Sequence, residues 1–206
     1  YCMPSSIDKA HFSRARNKFT EPADQAGIGY PRFGFFGVVD ERFDIVLVRE
    51  VAERKPGWQF VIIGPIVKID EKDLPQLPNI HYLGIKSYKE LPSYISNWQV
   101  AFLPFAMNPS TRFISPTKTP EYLAAGKPVI STPVKDVVRT YGNNNLVAIA
   151  ENAAEFIAAG EELLLNREEE WLAKVDLFLA NMSWDNVVME MNQYLLSVVA
   201  AKKERA

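Results

Sequence analysis

Six short apolar runs, separated by amphipathic stretches, constrain the fold of this chain more than any other feature. The runs are Arg32 to Val38, Gln59 to Gly64, Ile80 to Gly84, Val100 to Phe105, Pro128 to Thr132 and Leu146 to Ala150. Each is apolar on both faces, as strands of a parallel sheet covered by helices must be. Between them lie helical candidates: Asp44 to Arg54, Lys89 to Trp98 with Pro92 tolerated in the first turn, Lys118 to Ala125, Val134 to Tyr141 and Ala153 to Leu165. Strand and helix alternate throughout, which predicts an α/β fold with a doubly wound parallel six-stranded Rossmann-like sheet, followed from Glu168 onward by C-terminal helices. Residues Tyr1 to Tyr30 have weak periodicity and read as a lead-in segment.

Composition narrows the classes. With 206 residues, 48% of them apolar, the chain can bury one good core, so disordered and collagen-like readings drop out. The formal charge of −2, with both signs interleaved, provides no basic field for nucleic acid, although it allows a local anion pocket. Cys2 is the only cysteine, so no internal disulfide forms, and no Cys/His cluster has zinc spacing; a reducing, cytoplasmic location is expected. No apolar run is long enough for a transmembrane segment, and the amino terminus lacks the regions of a signal peptide. The start at Tyr1 rather than methionine suggests an excised fragment.

The chemistry concentrates in residues 115–131. Ser115-Pro116-Thr117-Lys118-Thr119 opens a short helix carrying Glu121, Gly126 stops it, and Lys127-Pro128-Val129-Ile130-Ser131 re-enters the sheet. A helix amino end presents backbone N–H groups and partial positive charge, Lys118 adds a full charge, and Glu121 can accept two hydrogen bonds from a vicinal diol. A nucleoside diphosphate has both the anion and the diol. In a doubly wound sheet, ligands bind outside the carboxyl ends of the strands. Gly37 begins the first such loop, and Gly64-Pro65, Gly84-Ile85 and Pro104-Phe105 end the next three runs. The glycine spacing is not that of the dinucleotide fingerprint.

These residues carry a resemblance. Pro104-Phe105-Ala106-Met107-Asn108, Thr111, Ser115 to Lys118 and Glu121 to Ile130 resemble the C-terminal, nucleotide-sugar-binding domain of a GT-B glycosyltransferase of the group-one, glycogen-synthase-like kind. Met3 to Asp8 with Phe12 is similar to the segment leading into that domain, and Tyr82-Leu83-Gly84 with Tyr88, Leu91 and Pro92 matches its middle. The resemblance implies the second half of a GT-B fold: a lead-in from a missing N-terminal domain at 1–30, the nucleotide-sugar-binding domain at 31–167, and C-terminal helices at 168–206. It implies transfer of a sugar from a UDP- or GDP-linked donor to a hydroxyl acceptor held by the missing domain, with a GT-B-like epimerase or a non-catalytic nucleotide-binding module as alternatives. Glu121 would hold the ribose hydroxyls. Ser115, Thr117, Lys118 and Thr119 would face the diphosphate; Ile85, Lys86 and Tyr88 would lie near the base; and Gly37 would approach phosphate or sugar. No metal and no cofactor beyond the nucleotide sugar is implied.

The chain also departs from that pattern. Phe113 stands where retaining relatives place a glutamate, eight positions before the ribose glutamate, and only Arg42 stands near the place of an arginine–lysine pair early in the first helix. Arg42, Arg112 and Lys118 are therefore competing phosphate cations, no residue is assigned to bond breaking, and retention or inversion stays open. Ordinary readings cover much of the rest. Asp40, Glu41 and Asp44 read as caps at a helix start; His11 and His81 as structural or exposed; Asn143 to Asn145 as a turn; and the four tryptophans as packing residues. From a cap at Ser183, Trp184, Val187, Val188, Met191, Tyr194, Leu195 and Val198 form an apolar stripe, broadened by Met189, Leu196 and Val199. The two-domain resemblance implies contact of that stripe with the missing domain, so in this fragment it should be exposed or covered by a second copy in a dimer. Peripheral membrane association is the weaker reading, because Lys202, Lys203 and Arg205 lie beyond the stripe.

Overall fold

The computed structural model describes residues 5–17, 19–165 and 169–203. Cys2, Met3, Pro4 and Arg205, and the side chains of Glu169, Val199, Lys202 and Lys203, lie outside what it describes. All six expected strands are present: β1 Arg32–Phe36, β2 Gln59–Ile63, β3 Ile80–Tyr82, β4 Val100–Leu103, β5 Val129–Ser131 and β6 Ala148–Ile149. They are wholly parallel and ordered β3-β2-β1-β4-β5-β6. This is the doubly wound order, with its change of direction between β1 and β4. Every strand is shorter than its apolar run. β1 stops at Phe36 because Gly37 turns the chain at φ +148°, and β2 stops before Gly64 at φ +139°.

Helices cover both faces: α1 Lys9–Ser13, α2 Ile45–Arg54, α3 Leu91–Ile95, α4 Lys118–Ala124, α5 Lys135–Thr140, α6 Ala153–Leu165, α7 Glu169–Phe178 and α8 Trp184–Lys203. Their ends follow the local signals. The Asp44 carboxylate accepts from Leu47 N (2.9 Å) and opens α2, and Ser183 Oγ accepts from Asn186 N (3.1 Å) and opens α8. Gly126, at φ +70°, closes α4: its N–H bonds Leu123 O and that of Lys127 bonds Tyr122 O, a Schellman ending. The helix expected over Lys89 to Trp98 is divided into a 3₁₀ turn, Tyr88–Glu90, and a short α3. Ser93, Ser96 and Asn97 direct side-chain bonds at carbonyls three or four residues back, competing with helix propagation.

Packing divides β1 cleanly between the layers. Phe33 stacks on Trp58 at 4.3 Å and meets Phe156 of α6, while Phe35 meets Phe43 and Phe102. On the other face Phe36 contacts Phe12 of α1 and Tyr122 of α4. Gly34 lies on this face beneath Trp98; a Cβ there would lie 1.9 Å from the indole. The lead-in segment is part of this layer, contrary to its weak periodicity. Phe12 is fully buried, Gln25 accepts from the Trp98 indole N–H (3.0 Å), and the buried Arg32 guanidinium binds Glu21 and Ile28 O. Arg16 donates to Ala124 O (2.8 Å) and takes Asp176 of α7 in a fork, tying both ends of the chain to α4.

Trp58 and Trp98 are buried and Trp171 half-buried, but Trp184 is 51% exposed. It belongs to the α8 stripe, where Val188, Met191, Leu195 and Val198 are also exposed. Among the described residues no helix is long and apolar enough to cross a membrane.

Gly34→Ala should destabilise the fold by about 1–3 kcal/mol, because the added methyl meets a rigid indole inside a packed layer. Thermal or urea unfolding checks this; an unchanged midpoint would show that Trp98 moves freely.

Candidate functional site

The site is built where the sheet changes direction, outside the ends of β1 and β4. Gly37 N donates to Ile63 O (2.8 Å), and a Cβ on Gly64 would lie 1.9 Å from Gly37 O, so two glycines let these backbones meet. Lys118 lies directly over Gly37: a Cβ there would be 2.2 Å from Lys118 Cε. The Tyr122 hydroxyl accepts from Phe36 N (2.9 Å), which fixes α4 against the end of β1. Burial raises the Tyr122 phenol well above its ordinary value, so it stays neutral. One turn of α4 therefore presents Lys118 and Glu121 on the same side.

A cavity of about 300 Å³ opens beside Lys118. Its polar lining is Arg42, Ser115, Thr117 and Lys118; Phe35, Val38, Phe43, Phe105, Ile114 and Pro116 form apolar walls. The loop after β1 is stitched to the end of β4 through Asp44 N to Pro104 O (2.7 Å) and Ala106 N to Arg42 O (2.8 Å). Four charges share this ground. Burial lowers the Lys118 pKa, with the Glu121 carboxylate opposing and Arg42 adding to the effect. Burial raises the Glu121 carboxyl to about 7, with Lys118 opposing. Neither side chain has an ion pair among the described residues. Two charged groups with perturbed titration in a cleft, neither neutralised by contact, are suited to an external anion and an external hydrogen-bond donor.

The expected residues are distributed unevenly. Gly37, Arg42, Ser115, Thr117 and Lys118 come together, and Glu121 adjoins them. Thr119, expected to face the diphosphate, has no exposed surface, and its hydroxyl has no partner among the described residues. One step along a helix turns a side chain by about 100°, away from the side that carries Lys118. Ile85 is 72% exposed beyond β3. Lys86 reaches the lead-in segment, where it pairs with Asp24 at 2.6 Å. Arg112 lies over the exposed Phe113 ring at 5.2 Å. His11 stacks on Tyr88 at 4.0 Å and His81 bonds Gln59 Oε1 at 2.8 Å, both packing roles.

Asp44 is a helix cap as expected, but Asp40 is not. Its buried carboxylate is held by Arg42, from Nη2 at 2.5 Å and Nε at 3.0 and 3.1 Å. The aspartate two residues before an arginine was the available signal, but loop curvature decides whether such a pair closes. Phe35, Val38 and Phe105 were also missed as site residues, because they read as parts of strands. Among the described residues no three His, Cys, Asp or Glu side chains are grouped to hold a metal.

Because folding lifts the Glu121 pKa from its ordinary 4.5 to about 7, the folded chain holds a proton there that the unfolded chain has released. Stability contributed by this group is therefore present below pH 4.5 and lost as pH rises through 7. Glu121→Gln should remove that loss, so its melting temperature should exceed that of the parent at pH 8, with the gap closing toward pH 4.5. A pH-independent gap would contradict the burial of the carboxyl.

Comparisons with known proteins identify the family. Residues 31–166 match the family model for Glycosyl transferases group 1. The chain is 26% identical over 166 residues to the putative teichuronic acid biosynthesis glycosyltransferase TuaH of Bacillus subtilis (strain 168), covering 78% of this chain and 42% of that protein. Sucrose-phosphate synthase (tll1590) from Thermosynechococcus elongatus superposes with a TM-score of 0.72 at 17% identity, over 97% of this chain and 52% of that one. Anabaena Alr3699/HepE, solved with UDP and glucose, superposes with a TM-score of 0.67 at 13% identity, over 96% and 56%. The chain thus spans about half the length of these relatives. A family match across the whole doubly wound sheet, from β1 to the end of α6, establishes that this chain belongs to the group 1 glycosyltransferase family.

Proposed function

We propose that this chain holds the donor of a glycosyltransferase, a UDP- or GDP-linked sugar, for transfer to a hydroxyl acceptor. The observation that carries this reading is the placement of Lys118 and Glu121 on one turn of α4, half-buried at the change of direction in the sheet and without an ion pair among the described residues. The UDP and glucose solved with the Anabaena neighbour support a nucleotide sugar as the ligand class.

The roles follow from position. The diphosphate would enter the cavity beside Lys118, Ser115 and Thr117, where an ammonium and hydroxyls can hydrogen-bond its oxygens. Glu121 would accept from the two ribose hydroxyls. When the bond between the anomeric carbon and the phosphate oxygen breaks, its electron pair leaves with the diphosphate, and Lys118 would stabilise the charge that develops. A half-buried ammonium acts more strongly there than in water, because the surrounding apolar walls lower local screening. Protein cations would thus do the work of a metal ion.

The acceptor would be held by chain outside these residues, since this chain spans about half the length of its relatives. The same outside chain would cover the exposed stripe of α8. A single cysteine supports a reducing, cytoplasmic setting.

Titration with UDP, GDP, ADP and the parent nucleosides tests the reading. This chain alone should bind a nucleoside diphosphate without transferring sugar, because catalysis needs both reactants in register. Glu121→Gln should weaken ribose recognition by about 1–2 kcal/mol. Lys118→Ala should weaken diphosphate binding far more than nucleoside binding. Equal losses for UDP and uridine would show that Lys118 does not meet the phosphates.

A further inference from the structure

We propose that Asp40 is a positioning residue that fixes Arg42 as a second cation of the anion pocket. The inference rests on the nucleotide-sugar reading of that pocket and deepens it. Asp40 is a buried carboxylate, its side chain 6% exposed, whereas the Arg42 side chain beside it is 40% exposed and lines the cavity with Lys118. The pair is held from three directions. Asp40 Oδ1 accepts from Arg42 N and Nε, each at 3.0 Å, and Oδ2 accepts from Nη2 at 2.5 Å. The Arg42 carbonyl accepts from Ala106 N, so the backbone that carries the guanidinium is anchored to the loop after β4.

A guanidinium has five N–H donors in a rigid fork. Asp40 engages Nε and one hydrogen of Nη2, and Nη1 makes no bond among the described residues. The remaining donors belong to a group that cannot swing away, because its Nε edge is clamped. Burial works to raise the Asp40 carboxyl, but the Arg42 hydrogen bonds and charge hold it below the usual carboxylate range, so it stays an anion near neutrality. Arg42 also acts on Lys118 electrostatically, which makes the two cations parts of one site. A cation immobilised before the ligand arrives loses little side-chain entropy on binding.

Charge alone predicts the opposite behaviour. An aspartate beside a phosphate site repels the ligand, so neutralising it should tighten binding if Asp40 has no positioning role.

The experiment measures dissociation constants of UDP, GDP, ADP and the corresponding nucleosides for the parent chain, Asp40→Asn, Arg42→Ala, Arg42→Lys and the Asp40→Asn/Arg42→Ala double variant. Asp40→Asn should weaken the bound nucleoside diphosphate about tenfold, the size of one charge-assisted hydrogen bond, and leave the nucleoside unchanged. In the Arg42→Ala background the same change should have no further effect. Arg42→Lys keeps the charge without the fork and should bind about as weakly as Arg42→Ala, which tests the proposal even if Asp40→Asn fails to fold. Tighter or unchanged diphosphate binding by Asp40→Asn, an equal loss in the Arg42→Ala background, or parental affinity in Arg42→Lys would overturn the positioning role alone. Absence of nucleotide binding by the parent chain would instead overturn the nucleotide-sugar reading, and the positioning role with it.

Discussion

The close approach of α4 to the end of β1 is the contact on which the site depends. It requires the absence of a side chain at Gly37, where Lys118 passes, and at Gly64, which meets the Gly37 carbonyl. It is secured by the buried Tyr122 hydroxyl on Phe36 N and by Phe36 packing on both Tyr122 and Phe12. The same helix that carries the chemistry is thus held by core contacts on one side and faces the cavity on the other. Any side chain at Gly37 would collide with Lys118 and strain the backbone, which stands at φ +148°.

Once α4 is seated, the electrostatics are set by geometry. Lys118 and Glu121 are drawn out of water without contacting a counter-charge, and each shifts toward neutrality. Arg42 and Asp40 form the opposite arrangement, a closed pair in which the buried carboxylate is satisfied and the cation faces outward. The first pair is poorly placed for stability and well placed for a ligand, the usual exchange at binding sites. The second pair is rigid. A diphosphate entering this pocket would meet one ammonium without an ion pair among the described residues and one clamped guanidinium.

The sheet was legible in the sequence because a parallel strand buried on both faces leaves a continuous apolar run, as in β1, β2, β4 and β5, while the edge strands β3 and β6 are largely half-buried. Helix ends were legible where a single residue decides them, as at Asp44, Ser183 and Gly126. The lead-in segment was not, because its structure rests on distant partners: Phe12 on Phe36, Gln25 on Trp98, Arg16 on Asp176. Within the site, Gly37, Ser115, Thr117 and Lys118 could be placed by their positions after strands and at a helix start. Asp40 could not, since cap and ion pair begin with the same residue and only the loop's path separates them. Thr119 shows the limit of reading a loop as a unit: its neighbour Lys118 reaches the cavity while its own side chain enters the core.

A crystal structure of this chain with the nucleoside diphosphate it binds most tightly tests the central claim most directly. The account predicts the diphosphate within hydrogen-bonding distance of Lys118 Nζ and Arg42 Nη1, and the ribose hydroxyls on the Glu121 carboxylate. A nucleotide seated away from α4, or one whose ribose lies beside Lys118 while its phosphates project into solvent, would contradict it.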